Sequence, residues 1–101
     1  MVKIVWTRQS AVELKDIFDY IAKDSRRYAE NHVKRIREKT QVLKTQPELG
    51  RIVPELDIEQ IRELIEGNYR IVYRLIDKNR VEILTVHHSS RDFNSRELNA
   101  K

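Results

Sequence analysis

The spacing of apolar residues along the chain changes once, near position 60. Before that point, apolar residues recur every three or four positions in two stretches, as one face of an amphipathic helix requires. After it, they recur in short runs bounded by turn residues, as half-buried strands do. A further apolar run opens the chain. The predicted elements are two helices between residues 10 and 46 and strands at 2–6, 61–66, 69–76 and 81–88.

Turn and capping residues indicate how these elements connect. Ser10 and Glu13 have the spacing of a capping box, and Asp24 or Ser25 can cap a second helix that starts at once. Two amphipathic helices with so short a link form an antiparallel hairpin. We therefore predict an α+β fold of order β-α-α-β-β-β, an antiparallel sheet with the helix hairpin on one face. Residues 46–60 are expected to form a loop, and the other face of the sheet is expected to be open.

Alternation along residues 69–76 assigns the arginines to that open face. Tyr69 and Tyr73 fall on the core side, so Arg70 and Arg74 stand on the opposite side, about 7 Å apart. Arg62 is expected to join them across the hairpin. Guanidinium groups on a rigid sheet suit phosphate or carboxylate recognition. The alternative, which the sequence leaves open, is cross-strand pairing with nearby glutamates.

Two histidines end the last predicted strand. His87 and His88 point to opposite faces, so they cannot serve one site. Either can act as a general acid or base near neutral pH, and either can simply be exposed or hydrogen-bonded at the sheet rim. The chain has no Cys, and no Gly-rich phosphate loop is present. We therefore expect no metal and no cofactor.

Composition adds a charged surface to this picture. The 101 residues suffice for one domain, and Lys and Arg exceed Asp and Glu by 20 to 16, a net charge of +4. Such basicity fits nucleic acid, the ribosome or an acidic protein partner. The first six residues are too short and too soon charged for a signal peptide, and no run reaches the ~20 apolar residues of a membrane span. A cytoplasmic protein without membrane contact is expected.

Two segments carry a family resemblance. Residues 62–74 resemble the motif R-x-L-x-x-G-N-Y-R-I-x-Y, and residues 81–93 resemble a closing strand that ends V-x-H-x-x-R-D. On these motifs the chain resembles the ParE/RelE superfamily of toxins from type II toxin-antitoxin (plasmid stabilisation) systems. The resemblance implies the RelE/ParE-like fold, with a single toxin domain over residues 1–93 and a polar C-terminal tail over 94–101.

The superfamily resemblance implies two modes of action. ParE-like toxins arrest growth by binding and inhibiting DNA gyrase, without chemistry of their own. RelE-like toxins are ribosome-dependent mRNA endonucleases, for which Arg70 would stabilise the transition state and His88 would be the acid or base. The ending from His88 to Asp92 is closer to the ParE branch. We therefore favour a gyrase-binding toxin over an enzyme. A decayed toxin that only binds its antitoxin is the third possibility.

Both active modes imply the same partner, a cognate antitoxin that forms a hetero-oligomer with the toxin. Its short acidic or amphipathic segment is expected to cover the open face. The residues expected to bind target or antitoxin are Arg62, Arg70, Arg74, His88 and Arg91.

Overall fold

The computed structural model describes residues 1–89 and confirms the α+β class. Every predicted helix and strand is present, and one short strand is added. A 3₁₀ turn at Val42–Lys44 follows the second helix. The predicted boundary between a domain at 1–93 and a tail at 94–101 lies outside the described residues. The elements are β1 Lys3–Trp6, α1 Arg8–Ala22, α2 Arg26–Gln41, β2 Arg51–Ile52, β3 Ile61–Glu66, β4 Tyr69–Asp77 and β5 Arg80–His88.

The five strands form one mixed sheet in the order β1-β5-β4-β3-β2. Strands β3, β4 and β5 form the predicted antiparallel meander. Strand β1 pairs with β5 in parallel, so the expectation of a wholly antiparallel sheet was wrong at this edge. Strand β2 lies within the predicted loop and pairs antiparallel with β3. With only two residues, β2 is too short to show a period.

Helix α1 begins three residues earlier than predicted. Thr7 is its N-cap, with the hydroxyl oxygen accepting a hydrogen bond from the Ser10 N–H at 3.1 Å. The predicted capping box of Ser10 and Glu13 is therefore wrong. The Glu13 carboxylate instead accepts bonds from the Thr85 hydroxyl at 2.6 Å and the Val86 N–H at 3.0 Å. These bonds tie α1 to β5 close to a register shift between β4 and β5.

The helix hairpin covers one side of the sheet, as predicted. The inner residues of α2, with Ala29 and Ile36 fully buried, pack with the side chains that β4 and β5 turn toward the helices. Tyr73 of β4 is buried in this core. Its hydroxyl accepts a hydrogen bond from the Gly50 N–H at 2.9 Å and donates one to the Pro47 carbonyl at 2.8 Å. The segment after α2 is thereby joined to the centre of the sheet.

The opposite side of the sheet is not open. We call it the loop side, because Val53 and Leu56 of the segment between β2 and β3 pack over Ile61, Val72 and Leu84 in a second, smaller core. Those three side chains would otherwise expose apolar surface on that side. The expectation of an open face was therefore wrong. Neither helix in residues 1–89 is long and apolar enough to cross a bilayer.

Candidate functional site

An ion-pair network occupies the loop side where Arg70 had been expected to stand exposed. The Arg70 side chain is only 7% exposed. Its Nε donates to Glu63 at 2.6 Å, and its two terminal nitrogens donate to the two oxygens of Glu55 at 2.7 and 2.9 Å. The hydrogen bonds of Glu55, then those of Glu63, raise the pKa of the Arg70 guanidinium above its ordinary value, against the opposing effect of burial.

Glu63 is the buried centre of this network. Its side chain is 0% exposed. One carboxylate oxygen accepts from Arg70, and the other accepts from Nε of Arg51 at 2.6 Å. A buried carboxylate is tolerated only when its charge is compensated in this way. The network therefore holds the segment after β2 against the sheet through Glu55, and Arg70 is a structural residue rather than a free cation.

The other two sheet arginines do not join Arg70. Arg62 pairs with Tyr73 across the β3–β4 ladder, which puts it on the helix side. Its guanidinium donates to the backbone carbonyls of Glu48, Gly50 and Glu59 at 3.2 Å. Arg74 lies on the loop side with Glu82 at 3.6 Å. The predicted row of three exposed arginines does not exist.

Four aromatic rings instead line up at the helix side of the molecule. Tyr28 contacts His32, His32 contacts Tyr69, and Tyr69 contacts His88, all edge to face, with centroids 4.6, 6.3 and 5.7 Å apart. We call these four side chains the ring row. Tyr28 is 57% exposed and His88 is exposed, whereas the two middle rings are half-buried. Burial raises the pKa of the Tyr69 phenol.

The fold explains why these rings meet. Tyr28 and His32 are four residues apart on α2 and so share one side of that helix. Tyr69 and His88 are direct cross-strand partners on β4 and β5. Because α2 packs over the sheet on the side to which Tyr69 points, the two pairs become one continuous surface. The ring row therefore depends on tertiary packing that no local pattern encodes.

A groove of about 770 Å³ runs between the two helices. Its interior is apolar, with Trp6, Leu14 and Phe18 among its walls, and charged residues of both signs stand along it. The side chains that line it share none with the ring row. They are Trp6, Ala11, Leu14, Lys15, Phe18, Glu30, Val33, Lys34, Arg37 and Glu38.

Comparison with known proteins identifies the chain's family. The family model described as "ParE toxin of type II toxin-antitoxin system, parDE" matches residues 4–93. The chain belongs to this family. It is a ParE-type toxin of a type II toxin-antitoxin system.

Structural comparison agrees with the fold of a ParE toxin. A solved structure titled "Chromosomal ParDE TA system from P. aeruginosa" has a TM-score of 0.71 and 24% sequence identity. The match covers 87% of this toxin and 96% of that chain. No curated protein matches. At this identity, the structural likeness concerns the fold.

The predicted catalytic pair of the toxin does not come together. Arg70 lies on the loop side, beside its cross-strand partner His87, whereas His88 points to the helix side and contacts Tyr69. Arg91 lies outside the described residues. Among residues 1–89, no three His, Cys, Asp or Glu side chains are arranged to hold a metal ion. Of the predicted site residues, His88 alone belongs to an exposed cluster of the described chain.

Sequence reasoning missed Tyr28, His32 and Tyr69 as site residues. Tyr28 and His32 were visible as two rings at a spacing of four on a predicted helix. Tyr69 was assigned to the core, and it does lie at the border of the core. The clue that could have linked them was the cross-strand position of Tyr69 opposite His88, which requires the correct register.

Proposed function

We propose that this ParE-type toxin arrests growth by binding DNA gyrase, without chemistry of its own, and that a cognate antitoxin neutralises it. The observation that carries the proposal is the state of Arg70. A nuclease would need a cation free to stabilise a developing phosphate charge. Arg70 is buried against two carboxylates, on the face of the sheet opposite to His88.

The pairing of Arg70 therefore favours the binding mode over the RelE-like mode. His88 remains able to contact a partner, because it is exposed at one end of the ring row. A general base without a nearby cation and acid supplies only a small part of the rate that phosphodiester cleavage needs. The binding mode requires no such constellation.

The groove between α1 and α2 is the surface that we propose for the antitoxin. Its apolar walls suit the apolar side of an amphipathic helix, which binds by laying spaced anchors into such a groove. Lys15, Lys34 and Arg37 at its border suit acidic residues on the polar side of that helix. This replaces the loop side as the expected antitoxin surface, since that side is already covered by Val53 and Leu56.

A substitution that fills the groove tests this surface. Ala11 is exposed and lines the groove, so Ala11→Arg adds bulk and charge there without removing a core contact. We expect antitoxin affinity, measured by calorimetry, to fall by about tenfold or more, as when a 1.4 kcal/mol contact is lost. The matched control is Val12→Arg, next in the chain, exposed and outside the groove. Equal affinities of both variants would exclude the groove.

Two assays run side by side test the proposed target. The purified toxin is added to a gyrase supercoiling reaction and, separately, to ribosomes carrying mRNA. We expect supercoiling to stop and the mRNA to remain intact, and the antitoxin to restore supercoiling. Cleaved mRNA with unaffected supercoiling would refute the proposal in favour of the nuclease. Neither effect, from a folded toxin that still binds its antitoxin, would indicate a decayed toxin.

A further inference from the structure

The positive charge of the toxin is concentrated on one helix. Helix α2 contains six Lys or Arg residues and two Glu, a formal charge of +4, which equals the net charge of the entire chain. The remaining sequence is therefore neutral on balance. Five of the six basic residues of α2 are exposed. A basic helix of this kind is the electrostatic footprint of a surface that binds a polyanion.

One side of α2 combines charge with aromatic rings. Tyr28, His32, Arg35 and Lys39 follow one another at spacings of four, three and four residues, so they form a single stripe along the helix. We call this the α2 stripe, and it is about 16 Å long at 1.5 Å per residue. Its two rings are the first half of the ring row, which continues onto the sheet through Tyr69 and His88.

The cations of the stripe are only weakly engaged within the protein. Arg35 lies 3.8 Å from Glu66, and the Arg35 side chain is 51% exposed. Lys39 has no ion pair within residues 1–89. An exposed pair at that distance contributes little and yields readily to a stronger anion such as phosphate. This contrasts with Arg70, whose charge is fully committed to Glu55 and Glu63.

We propose that the α2 stripe and the ring row bind single-stranded nucleic acid, with Arg35 and Lys39 on phosphates and the outer rings Tyr28 and His88 on unpaired bases. Single-stranded nucleic acid is recognised by this combination, a positively charged track with aromatic side chains on which bases stack. The middle rings, His32 and Tyr69, hold the outer ones in place. DNA and RNA share this chemistry, because both offer phosphates and unstacked bases.

Two other occupants are weaker candidates. Exposed Tyr and Arg residues are also frequent in protein interfaces, but a protein surface gives no reason for the whole net charge of the chain to lie on this helix. A merely solvated basic helix would explain the charge, but not the adjoining row of four rings. The nucleic acid accounts for both features together.

Fluorescence anisotropy with labelled twelve-nucleotide strands tests the proposal. The full-length toxin is titrated against oligo-dT, oligo-U and a DNA duplex at several salt concentrations. We expect binding of one or both single strands and weaker binding of the duplex. A preference between oligo-dT and oligo-U identifies whether DNA or RNA is the ligand. This assay needs neither gyrase nor antitoxin, so its outcome is independent of the proposed function.

Ring variants separate stacking from charge. Tyr28→Ala plus His88→Ala is expected to weaken binding by at least about tenfold, since each stacked base contributes on that order. The matched control, Tyr28→Phe plus His88→Phe, keeps both rings and is expected to bind within about twofold of the unchanged toxin. Circular dichroism verifies that both variants are folded.

Charge variants test the phosphate contacts. Arg35→Gln plus Lys39→Gln is expected to reduce the slope of log K against log salt by about 1.4, for two phosphate contacts on a single strand. The control, Lys3→Gln plus Lys78→Gln, removes the same charge outside α2 and should leave the slope nearly unchanged.

Three results would overturn the proposal. They are no binding at low salt, a preference for the duplex, and equal losses from the α2 and control charge variants. Unchanged strand binding by Tyr28→Ala plus His88→Ala, together with loss of growth arrest, would also overturn it and would assign the ring row to a protein partner.

Discussion

Neighbouring residues of β4 serve opposite purposes in this toxin. Arg70 points to the loop side, where Glu55 and Glu63 bind its guanidinium and its side chain is 7% exposed. Tyr69, one residue earlier, points to the helix side and joins the ring row, whose outer members are exposed. The arginine, which resembled a functional residue, is structural, and the tyrosine, which resembled a core residue, borders the exposed surface. The environment of a side chain decides its role more than its type does.

Substitution of Arg70 should give the largest loss of stability. Arg70→Met leaves the buried Glu63 carboxylate and Glu55 without their main partner, which costs about 3–5 kcal/mol. This is a large part of the roughly 5–15 kcal/mol that holds a domain folded. Urea denaturation at neutral pH measures it. The matched control is Arg74→Met on the same strand and side, 26% exposed, for which we expect about 1 kcal/mol or less.

A double variant distinguishes lost pairing from lost packing. Glu63→Met plus Arg70→Met removes both buried charges together and should be much more stable than Arg70→Met, because well-packed apolar side chains can replace a buried ion pair. If the double variant is the less stable of the two, the network does more than neutralise Glu63.

Tyr73 should show an intermediate effect, because it links the helix-side core to the segment after α2. Tyr73→Phe removes the hydroxyl that bridges Gly50 and Pro47 and leaves a buried N–H without its acceptor, at a cost of about 1–3 kcal/mol. Urea denaturation again measures the loss. A cost below that of the Arg74 control would show that the bridge is dispensable.

The same hydroxyl predicts an alkaline pH dependence. Burial raises the pKa of Tyr73, so the native protein holds this proton more tightly than the unfolded chain. The resulting stability is complete below the ordinary tyrosine pKa of about 10 and is lost as pH rises through the higher native value. Tyr73→Phe should show a smaller fall in stability between neutral and alkaline pH than the unchanged toxin. Identical slopes would exclude Tyr73 as the titrating group.

The ring row should give the smallest change in stability. Tyr28→Ala plus His88→Ala removes two exposed rings from edge-to-face contacts, which we expect to cost about 1 kcal/mol. The thermal transition should therefore stay close to that of the unchanged toxin while strand binding falls. A loss as large as that of Arg70→Met would abolish the distinction between a structural side and a binding side.

The sequence predicted the elements well because their periods are strong. Strand β3 has the predicted bounds, and the buried Ala29 and Ile36 of α2 follow the predicted stripe. It did not predict the parallel partner of β1, because a strand's period is the same in either direction. The order of the elements was predictable, but their neighbours in the sheet were only partly so.

The site was harder to predict, because its parts come from distant segments. Val53 and Leu56 were apolar residues in a predicted loop, a signal that this loop packs on something. Glu63 alternates with Ile61 and Ile65, a sign that it shares a buried side and needs a cation. The structure supplied what these signals lacked, namely that Arg70 is that cation and that β4 and β5 bring Tyr69 opposite His88.

The pairing of β1 with β5 has a consequence during synthesis. Lys3 leaves the ribosome early, but its ladder partner, Arg80, is made much later. The hydrophobic core includes Val2 of the first segment together with Val81 and Ile83 of the last strand, so it cannot close on a partial chain. Contacts between such distant segments also slow folding. A translating cell is therefore shielded from the nascent poison until nearly all of the sheet has emerged, which leaves time for its inhibitor to be at hand.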